Sequence, residues 1–251
     1  MPRFTHSGFE FEFIDEGNGD PVVLVHGFAS NHIVNWVSTG WVRWLTDAGY
    51  RVIALDNRGH GQSSKSHNPA DYHPDLMASD AIALLDHLGI DRSHFMGYSM
   101  GARITASIGL VGSGRAGAII FGGRASGMVV DPGDWHAISD ALLADDPATI
   151  TDPQGRAFRK FAEQTKSDRV ALAACVQSSR APLTWDDVAR ISHPTLVAVG
   201  TRDDIAGDVA PMLERLPRGT GFAIEGRDHM LAVGDKTFKN RVTEFLGENS
   251  L

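Results

Sequence analysis

The pentapeptide Gly97-Tyr98-Ser99-Met100-Gly101 decides the fold prediction for this chain. It follows a short apolar segment at residues 93–96, and it opens a segment at 102–111 whose apolar spacing predicts a helix. A G-x-S-x-G sequence between a strand and a helix places a serine on a strained turn, with its hydroxyl pointing out of the sheet. The pattern therefore predicts that Ser99 is a nucleophile.

Strand and helix patterns alternate on both sides of this motif. Short apolar runs bounded by turn residues predict strands at residues 21–25, 51–55, 93–96, 115–121, 196–199 and 221–224. Apolar positions at helical spacing predict helices at residues 32–48, 75–88, 102–111, 208–216 and 236–246. Such alternation predicts an α/β fold, in which a mostly parallel sheet carries helices on both faces.

The N-terminal region has a different pattern. Phe9, Phe11 and Phe13 alternate with Glu10 and Glu12 ahead of a glycine-rich turn. A period of two predicts a strand with one buried face. We expect an edge strand whose polar face lies in water.

The length of 251 residues fits one α/β domain that carries an insertion. Between residues 127 and 191 the strand pattern stops, and only short amphipathic segments remain. We predict a helical insertion at 127–191 and a discontinuous core made of residues 1–126 and 192–251.

Composition and charge exclude several classes of protein. Lysine and arginine number 23 against 31 aspartates and glutamates, a net charge of -8 that disfavours a nucleic-acid partner. The single cysteine, Cys175, excludes an intrachain disulfide framework and any multi-cysteine metal site. No signal peptide and no apolar stretch of ~18 residues is present, so we expect a cytoplasmic protein without a membrane partner. No oligomeric state is indicated.

A nucleophilic serine needs an imidazole and a carboxylate. Among the 11 histidines, His229 follows the strand predicted at 221–224, so its ring can reach the carboxyl edge of the sheet. Asp203 follows the strand at 196–199, and Asp204 is its close rival for the same role. Whichever aspartate is not catalytic would initiate the following helical segment. We predict that His229 and Asp203 complete a triad with the serine.

The remaining histidines have other predicted roles. His26 and His60 lie in turns and are expected to make structural hydrogen bonds. Surface or helix-capping positions are expected for His6, His67, His73, His87, His94, His136 and His193.

An oxyanion needs hydrogen-bond donors beside the serine. His26-Gly27-Phe28 follows the buried strand predicted at 21–25, where Gly27 permits a close approach of the backbone. We predict that the backbone N–H groups of Phe28 and Met100 form the oxyanion hole. The side chain of Phe28 is also a predicted wall of the substrate pocket.

Two other stretches resemble binding motifs. Residues 112–117 match G-x-G-x-x-G, but they follow a predicted helix and precede a strand, the reverse of a dinucleotide site. Residues 56–63 are rich in oxygen ligands, and we interpret them as a tight loop held by the Asp56 carboxylate. No metal and no cofactor is predicted.

Together these motifs resemble the α/β-hydrolase superfamily over nearly the whole chain. The matching pieces are His26-Gly27-Phe28 and residues 56–63, 97–101, 200–203 and 226–229. The order Ser99, Asp203, His229 is also that of the family. Some members carry the acid after the preceding strand, where this chain has Gly122-Gly123-Arg124, which favours Asp203.

The resemblance implies an eight-stranded, mostly parallel sheet and a small helical cap, residues 127–191, over the serine. Aromatic side chains of the cap are candidates for the pocket wall, with Phe28 from the core. These are Trp135, Phe158, Phe161 and Trp185. For each of them the alternative is that it only packs the cap onto the core.

The predicted reaction is hydrolysis of an ester or related acyl bond of a small molecule, with water as the second substrate and an acyl-enzyme on Ser99. Three alternatives stay open on the same fold. They are a carbon-carbon bond hydrolase of a ring-cleavage product, a cofactor-free perhydrolase or haloperoxidase-like enzyme, and a non-hydrolytic small-molecule receptor. Dehalogenases and epoxide hydrolases are disfavoured, because their usual nucleophile is an aspartate.

Overall fold

The computed structural model describes residues 1–130 and 135–251 and is built on an eight-stranded sheet. The strands are β1 (Arg3–His6), β2 (Phe9–Glu16), β3 (Pro21–Val25), β4 (Arg51–Leu55), β5 (Ser93–Tyr98), β6 (Ala116–Gly122), β7 (Thr195–Gly200) and β8 (Gly219–Ile224). Their spatial order is β1-β2-β4-β3-β5-β6-β7-β8. Only β1 with β2 and β2 with β4 pair antiparallel, so the predicted mostly parallel sheet is confirmed.

The described helices are α1 (Trp41–Asp47), α2 (Pro74–Leu88), α3 (Met100–Val111), α4 (Trp135–Leu143), α5 (Pro153–Gln164), α6 (Arg169–Ser178), α7 (Trp185–Arg190), α8 (Ala210–Arg215), α9 (His229–Ala232) and α10 (Lys236–Gly247). None of them is long and apolar enough to cross a membrane.

Both faces of the sheet are buried, which explains the continuous apolar run of β3. Val22 and Leu24 join the hydrophobic cluster under α1 and α10, whereas Val23 and Val25 join the cluster under α2 and α3. Successive side chains of a strand point to opposite faces, so a strand covered twice needs apolar residues at every position.

The structure corrects two expectations for β2. The edge of the sheet is β1, which pairs with β2 through Phe4 and Phe11. Glu12 is buried rather than exposed, and its carboxylate accepts a hydrogen bond from Arg3. A four-residue strand with a single large apolar side chain offers no period of two, so the sequence pattern could not reveal it.

The helix predicted at 32–48 is divided in two. A π-helical turn, Ile33–Val37, comes first, and α1 follows after Gly40. Gly40 has a φ of 80°, a left-handed conformation that no helix continues through. The interruption matters for the site, because Val34 and Asn35 of the π-helical turn line the cavity that Ser99 also lines.

The segment between β6 and β7 contains only helical elements in the part that the structure describes. Its first turn is the 3-10 helix Ser126–Met128, and α4 to α7 follow. Residues 131–134 of the predicted cap lie outside the described residues. The division of the chain into a core and a cap at 127–191 stays a prediction.

A buried arginine joins this helical segment to helix α3. Arg103 of α3 donates hydrogen bonds to the carbonyl oxygens of Gly127 and Met128, near the start of the segment, and of Ala181, between α6 and α7. Helix α5 also reaches the core, because the Thr165 hydroxyl that follows it donates to Ala29 O at 3.1 Å. The segment is therefore hydrogen-bonded to α3 and to the loop that follows β3.

Candidate active site

Ser99 lies on a tight turn between β5 and α3, with φ 55° and ψ −112°. A Cβ on Gly97 would lie 2.0 Å from Gly101 O, and a Cβ on Gly101 would lie 1.9 Å from Val25 O. Neither glycine can therefore carry a side chain without moving the backbone. The crowding holds the serine in a strained conformation, as the G-x-S-x-G pattern requires.

The structure brings Ser99, His229 and Asp203 together. His229 Nε2 lies 2.9 Å from Ser99 Oγ, and His229 Nδ1 lies 2.8 Å from Asp203 Oδ2. With the proton assigned to Nδ1, that nitrogen donates to the carboxylate and Nε2 accepts from the serine hydroxyl. This is the geometry in which an imidazole can take a proton from a nucleophile.

Asp203, and not Asp204, contacts the histidine. The side chain of Asp203 is fully buried, and its Oδ1 accepts hydrogen bonds from the N–H groups of Ile205 and Ala206 at 2.9 and 3.0 Å. Asp204 is exposed. The two backbone donors fix the carboxylate, so its second oxygen faces the imidazole.

Hydrogen bonds from Tyr98 and to Asp228 fix the backbone at and after His229. Tyr98 Oη donates to His229 O at 2.6 Å, and Asp228 caps α9 by accepting from Met230 N and Leu231 N. Burial raises the pKa of Tyr98, so its hydroxyl remains a donor. These contacts determine where the imidazole of His229 can lie.

The loop at residues 26–28 packs against the serine turn. A Cβ on Gly27 would lie 3.4 Å from Ser99 Cβ and 3.3 Å from Tyr98 O, so glycine allows this approach. Met100 is the first residue of α3, and its N–H has no acceptor within the helix. Within the described part of the chain, the N–H of Phe28 makes no backbone hydrogen bond either. Both predicted donors are available to an oxyanion.

His26 holds this loop and stays uncharged. Its Nδ1 donates to Gly27 O at 2.8 Å, and its Nε2 accepts from Asn57 N at 2.9 Å. Asn57 Nδ2 donates in turn to His26 O. Burial lowers the pKa of His26 to about 4. The side chain is a structural hydrogen bonder, as its place in a turn indicated.

A cavity of about 590 Å³ adjoins Ser99 and His229. Most of its wall is apolar. The lining includes Phe28, Val34, Phe158, Phe161, Ile205, Met230 and Val233, with Asn35, Thr39, Gln154, Lys160 and Gln164 among its polar residues. The rings of Phe28 and Phe158 meet edge to face, with centroids 5.4 Å apart.

Two predicted pocket residues lie elsewhere. Trp135 and Trp185 do not line this cavity. The guanidinium of Arg180 lies 3.5 Å from the centroid of the Trp135 ring, and Trp185 packs on the core at the start of α7. Aromatic composition alone could not separate cap residues that face the cavity from those that pack.

Sequence reasoning missed several buried polar residues, one of which lines the cavity. Asn35 lines the cavity and carries no sequence signal, because it lies in a segment predicted to be ordinary helix. His32 was not considered, yet its Nδ1 donates to Asp56 Oδ1 at 2.7 Å. His94 was expected at the surface, but it is buried in β5 and accepts from Ala118 N.

One buried cluster has the composition of a metal site. Glu12, His32 and Asp56 place one ligand atom each within 4.8 Å of one another. His32 Nδ1 and the Asp56 carboxylate already form a direct hydrogen bond with each other. The Asp56 carboxylate also accepts from Gln62 N, which agrees with its predicted part in the loop at 56–63.

Comparison with known proteins identifies the fold. A model described as alpha/beta hydrolase fold matches residues 20–123. The chain is 31% identical over 210 residues to the dihydrolipoyllysine-residue acetyltransferase component of an acetoin cleaving system from Pseudomonas putida. That match covers 78% of this chain and 55% of the relative, so the chain spans about half of its length.

Two further proteins extend the comparison. A putative non-heme chloroperoxidase from Synechocystis is 28% identical over 206 residues, covering 81% of this chain and 71% of the relative. The crystal structure of a hydrolase from Pseudomonas aeruginosa superposes with a TM-score of 0.82 at 23% identity and covers 98% of both chains. With the sheet and the serine turn described above, these matches show that the chain has the α/β-hydrolase fold.

Proposed function

We propose that this protein is a serine hydrolase that cleaves an ester or related acyl bond of a small molecule. The observation that carries the proposal is the unbroken chain of hydrogen bonds from Ser99 Oγ through His229 to Asp203, at the wall of a cavity. The α/β-hydrolase fold supports it, because that fold commonly carries such a triad.

The first half-reaction forms the acyl-enzyme. Ser99 Oγ attacks the carbonyl carbon of the ester while its proton passes to His229 Nε2. The carbonyl oxygen becomes an oxyanion and accepts hydrogen bonds from the N–H groups of Phe28 and Met100. The carbon–oxygen bond to the alcohol then breaks, and His229 returns the proton to the leaving oxygen.

The second half-reaction restores the enzyme. A water molecule gives a proton to His229 Nε2 and attacks the acyl carbon, and the bond to Ser99 Oγ breaks as the serine regains its proton. Asp203 keeps the proton of His229 on Nδ1 and stabilises the imidazolium. The products are the acid and the free enzyme.

The cavity supports an apolar substrate of modest size. Lys160 is the one ionisable side chain, apart from His229 and Tyr98, among the described residues that line it, and it is exposed at the rim. Apolar walls favour burial of hydrocarbon, and the polar groups near Ser99 orient the reacting carbonyl. We propose uncharged esters with short to medium apolar acyl chains.

The test uses p-nitrophenyl esters from acetate to octanoate and a fluorophosphonate probe that labels an active serine. The wild-type protein is expected to turn over many times and to lose activity on labelling at Ser99. Ser99→Ala should lower kcat by about 10⁵-fold. Ser107→Ala replaces another buried serine of α3, which packs away from the cavity, and serves as the matched control.

Other outcomes overturn the proposal in defined ways. Turnover that survives Ser99→Ala rules out the serine as nucleophile. Tight binding of ligands without turnover or labelling indicates a receptor. If hydrogen peroxide replaces water as acyl acceptor at much higher rate, the protein is a perhydrolase, the activity class suggested by the chloroperoxidase relative's name. Turnover of a dienoic ring-cleavage product in preference to every ester indicates carbon-carbon bond hydrolysis.

A further inference from the structure

We infer that Asn35 is a positioning residue for the proposed oxyanion hole, an inference that rests on the proposed function. Its side-chain oxygen, Oδ1, accepts a hydrogen bond from Gly27 N at 3.0 Å. Gly27 immediately precedes Phe28, whose N–H is a proposed oxyanion donor. Asn35 is 6% exposed and lines the cavity that contains Ser99.

The backbone presents Asn35 in an uncommon way. Residues Ile33–Val37 form a π-helical turn that closes with a hydrogen bond from Ser38 N to Ile33 O at 2.8 Å. The wider turn buries Asn35 and Trp36 together, while Ile33 and Val37 stay exposed at 43% and 44%. Single π-helical turns are rare in proteins as a whole, and those that occur are often found at functional sites.

The orientation of the amide group follows from its partner. Gly27 N–H is a donor, so the atom that faces it must be the oxygen of Asn35. The amide nitrogen, Nδ2, is buried and has no partner among the residues that the structure describes. Among the described residues, the bond from Gly27 N–H is therefore the one hydrogen bond that the side chain of Asn35 makes.

Two consecutive peptide planes of the loop are fixed as a result. Asn35 holds the plane that contains Gly27 N–H. His26 Nδ1 and Ser30 N both donate to Gly27 O, which holds the next plane. In a trans peptide the C=O and the following N–H point in opposite directions, so fixing Gly27 O also directs Phe28 N–H. Gly27 N–H is occupied by Asn35, whereas Phe28 N–H makes no backbone hydrogen bond among the described residues and can serve an oxyanion.

The consequence is specific to the transition state. Donors aimed at an oxyanion act where charge develops, so a misdirected Phe28 N–H lowers kcat and leaves KM nearly unchanged. Asn35→Ala is expected to lower kcat for a p-nitrophenyl ester roughly 10- to 100-fold. Values are taken per active site, titrated with the fluorophosphonate, so that loss of folded protein does not count.

A matched pair of substrates gives a readout that general destabilisation would not move. In a p-nitrophenyl thionoester, sulfur replaces the carbonyl oxygen and is a weaker and larger hydrogen-bond acceptor. The wild-type protein is expected to prefer the oxygen ester strongly, and Asn35→Ala is expected to reduce that preference about 10-fold. Asn35→Ser, whose hydroxyl is too short to reach Gly27 N–H, should behave in the same way if the alanine variant folds poorly.

Asn31→Ala is the matched control. Asn31 Oδ1 accepts from Val34 N at 2.9 Å, so this variant also removes a side-chain bond to the backbone of the π-helical segment. It leaves the bond to Gly27 in place, and its substrate preference should equal that of the wild type. An equal shift in the control would show that only the segment's stability matters.

The inference fails if both Asn35 variants keep wild-type kcat and substrate preference per titrated site, or if they raise KM alone. Failure of the proposed function is a different result. In that case the wild-type protein itself neither hydrolyses any ester nor labels at Ser99.

Discussion

Two histidine–aspartate pairs in this chain are built alike and stand in different surroundings. His229 Nδ1 lies 2.8 Å from Asp203 Oδ2, and His32 Nδ1 lies 2.7 Å from Asp56 Oδ1. In both pairs the aspartate also accepts hydrogen bonds from backbone N–H groups. In both pairs a fixed carboxylate thus orients the imidazole through its Nδ1 atom.

The second ring nitrogen separates the two pairs. His229 Nε2 contacts Ser99 Oγ at the wall of the cavity. His32 is 1% exposed, and its Nε2 is buried without a partner in the described part of the chain. The comparison teaches that the pair alone confers no reactivity. The His229–Asp203 pair has a nucleophile within hydrogen-bond reach and an open cavity beside it. Among the described residues, the His32–Asp56 pair has neither and holds the loop after β4.

The electrostatics of the buried pair fit a structural part. Burial alone would raise the pKa of Asp56, but the hydrogen bond from His32 and the nearby ring of His26 lower it well below its usual range. The carboxylate therefore stays ionised and keeps its contacts to His32 and Gln62. Removing either partner should cost stability rather than turnover.

The largest expected loss of turnover comes from replacing the histidine of one pair, and the same replacement in the other pair is its comparison. His229→Ala should lower kcat per folded molecule by about 10⁵-fold, because His229 Nε2 is the base that the described residues place within hydrogen-bond reach of Ser99 Oγ. His32→Ala should leave kcat per titrated site within about 3-fold of wild type and lower the stability by about 3 kcal/mol. Ester kinetics and urea unfolding measure the two. Equal losses of turnover in both variants would contradict the distinction.

A smaller effect is expected at the carboxylates. Asp203→Asn should lower kcat by about 10⁴-fold with the fold retained, because the amide favours the wrong tautomer of His229. Asp56→Asn is the matched change in the buried pair and should lower the urea midpoint while kcat per titrated site stays near wild type. If Asp56→Asn proves the more damaging to turnover, the assignment of the two aspartates is reversed.

The pH dependence of stability tests another buried histidine that does not serve the site. Burial lowers the pKa of His94 from 6.5 to about 4. The unfolded chain then binds a proton that the folded chain excludes, so stability falls as the pH drops from about 6.5 toward 4. This one residue accounts for about 2 kcal/mol at pH 5.

His94→Asn removes that proton and keeps an acceptor for Ala118 N. Urea unfolding at pH 7.5 and pH 5 should show a smaller loss of stability on acidification than in the wild type, by about 2 kcal/mol. Ester turnover at pH 7.5 should be unchanged. An identical acid loss in the two proteins would show that His94 does not carry it.

The smallest expected effect concerns access to the reactive pair. Phe158→Ala removes a wall of the cavity and should change kcat/KM about 3- to 10-fold for octanoate relative to acetate, through lost apolar contact. Trp185→Ala changes an aromatic residue of the same helical segment that does not line the cavity. The ratio of the two esters should stay constant in that variant. A change of the octanoate-to-acetate ratio in Trp185→Ala would show that Trp185 contacts the substrate.

The parts of the site that the sequence predicted depend on local geometry. The turn that carries Ser99 is read from two glycines between a strand and a helix, since a side chain at either would overlap backbone atoms. Asp203 and Asp204 are neighbours after one strand, so the sequence could not separate them. The backbone N–H groups of Ile205 and Ala206 make the distinction by holding Asp203 toward His229.

The sequence by itself determined the alternation of strands and helices, the mostly parallel sheet and the strained serine turn, because each follows from apolar periodicity or from glycine over a few adjacent residues. Only the tertiary structure decided that Asp203 rather than Asp204 meets His229, that β1 covers the edge beside β2, and that Asn35 reaches Gly27. These contacts join residues on different elements. The distances between these residues depend on how whole strands and helices pack, and a local sequence pattern contains no information about that packing.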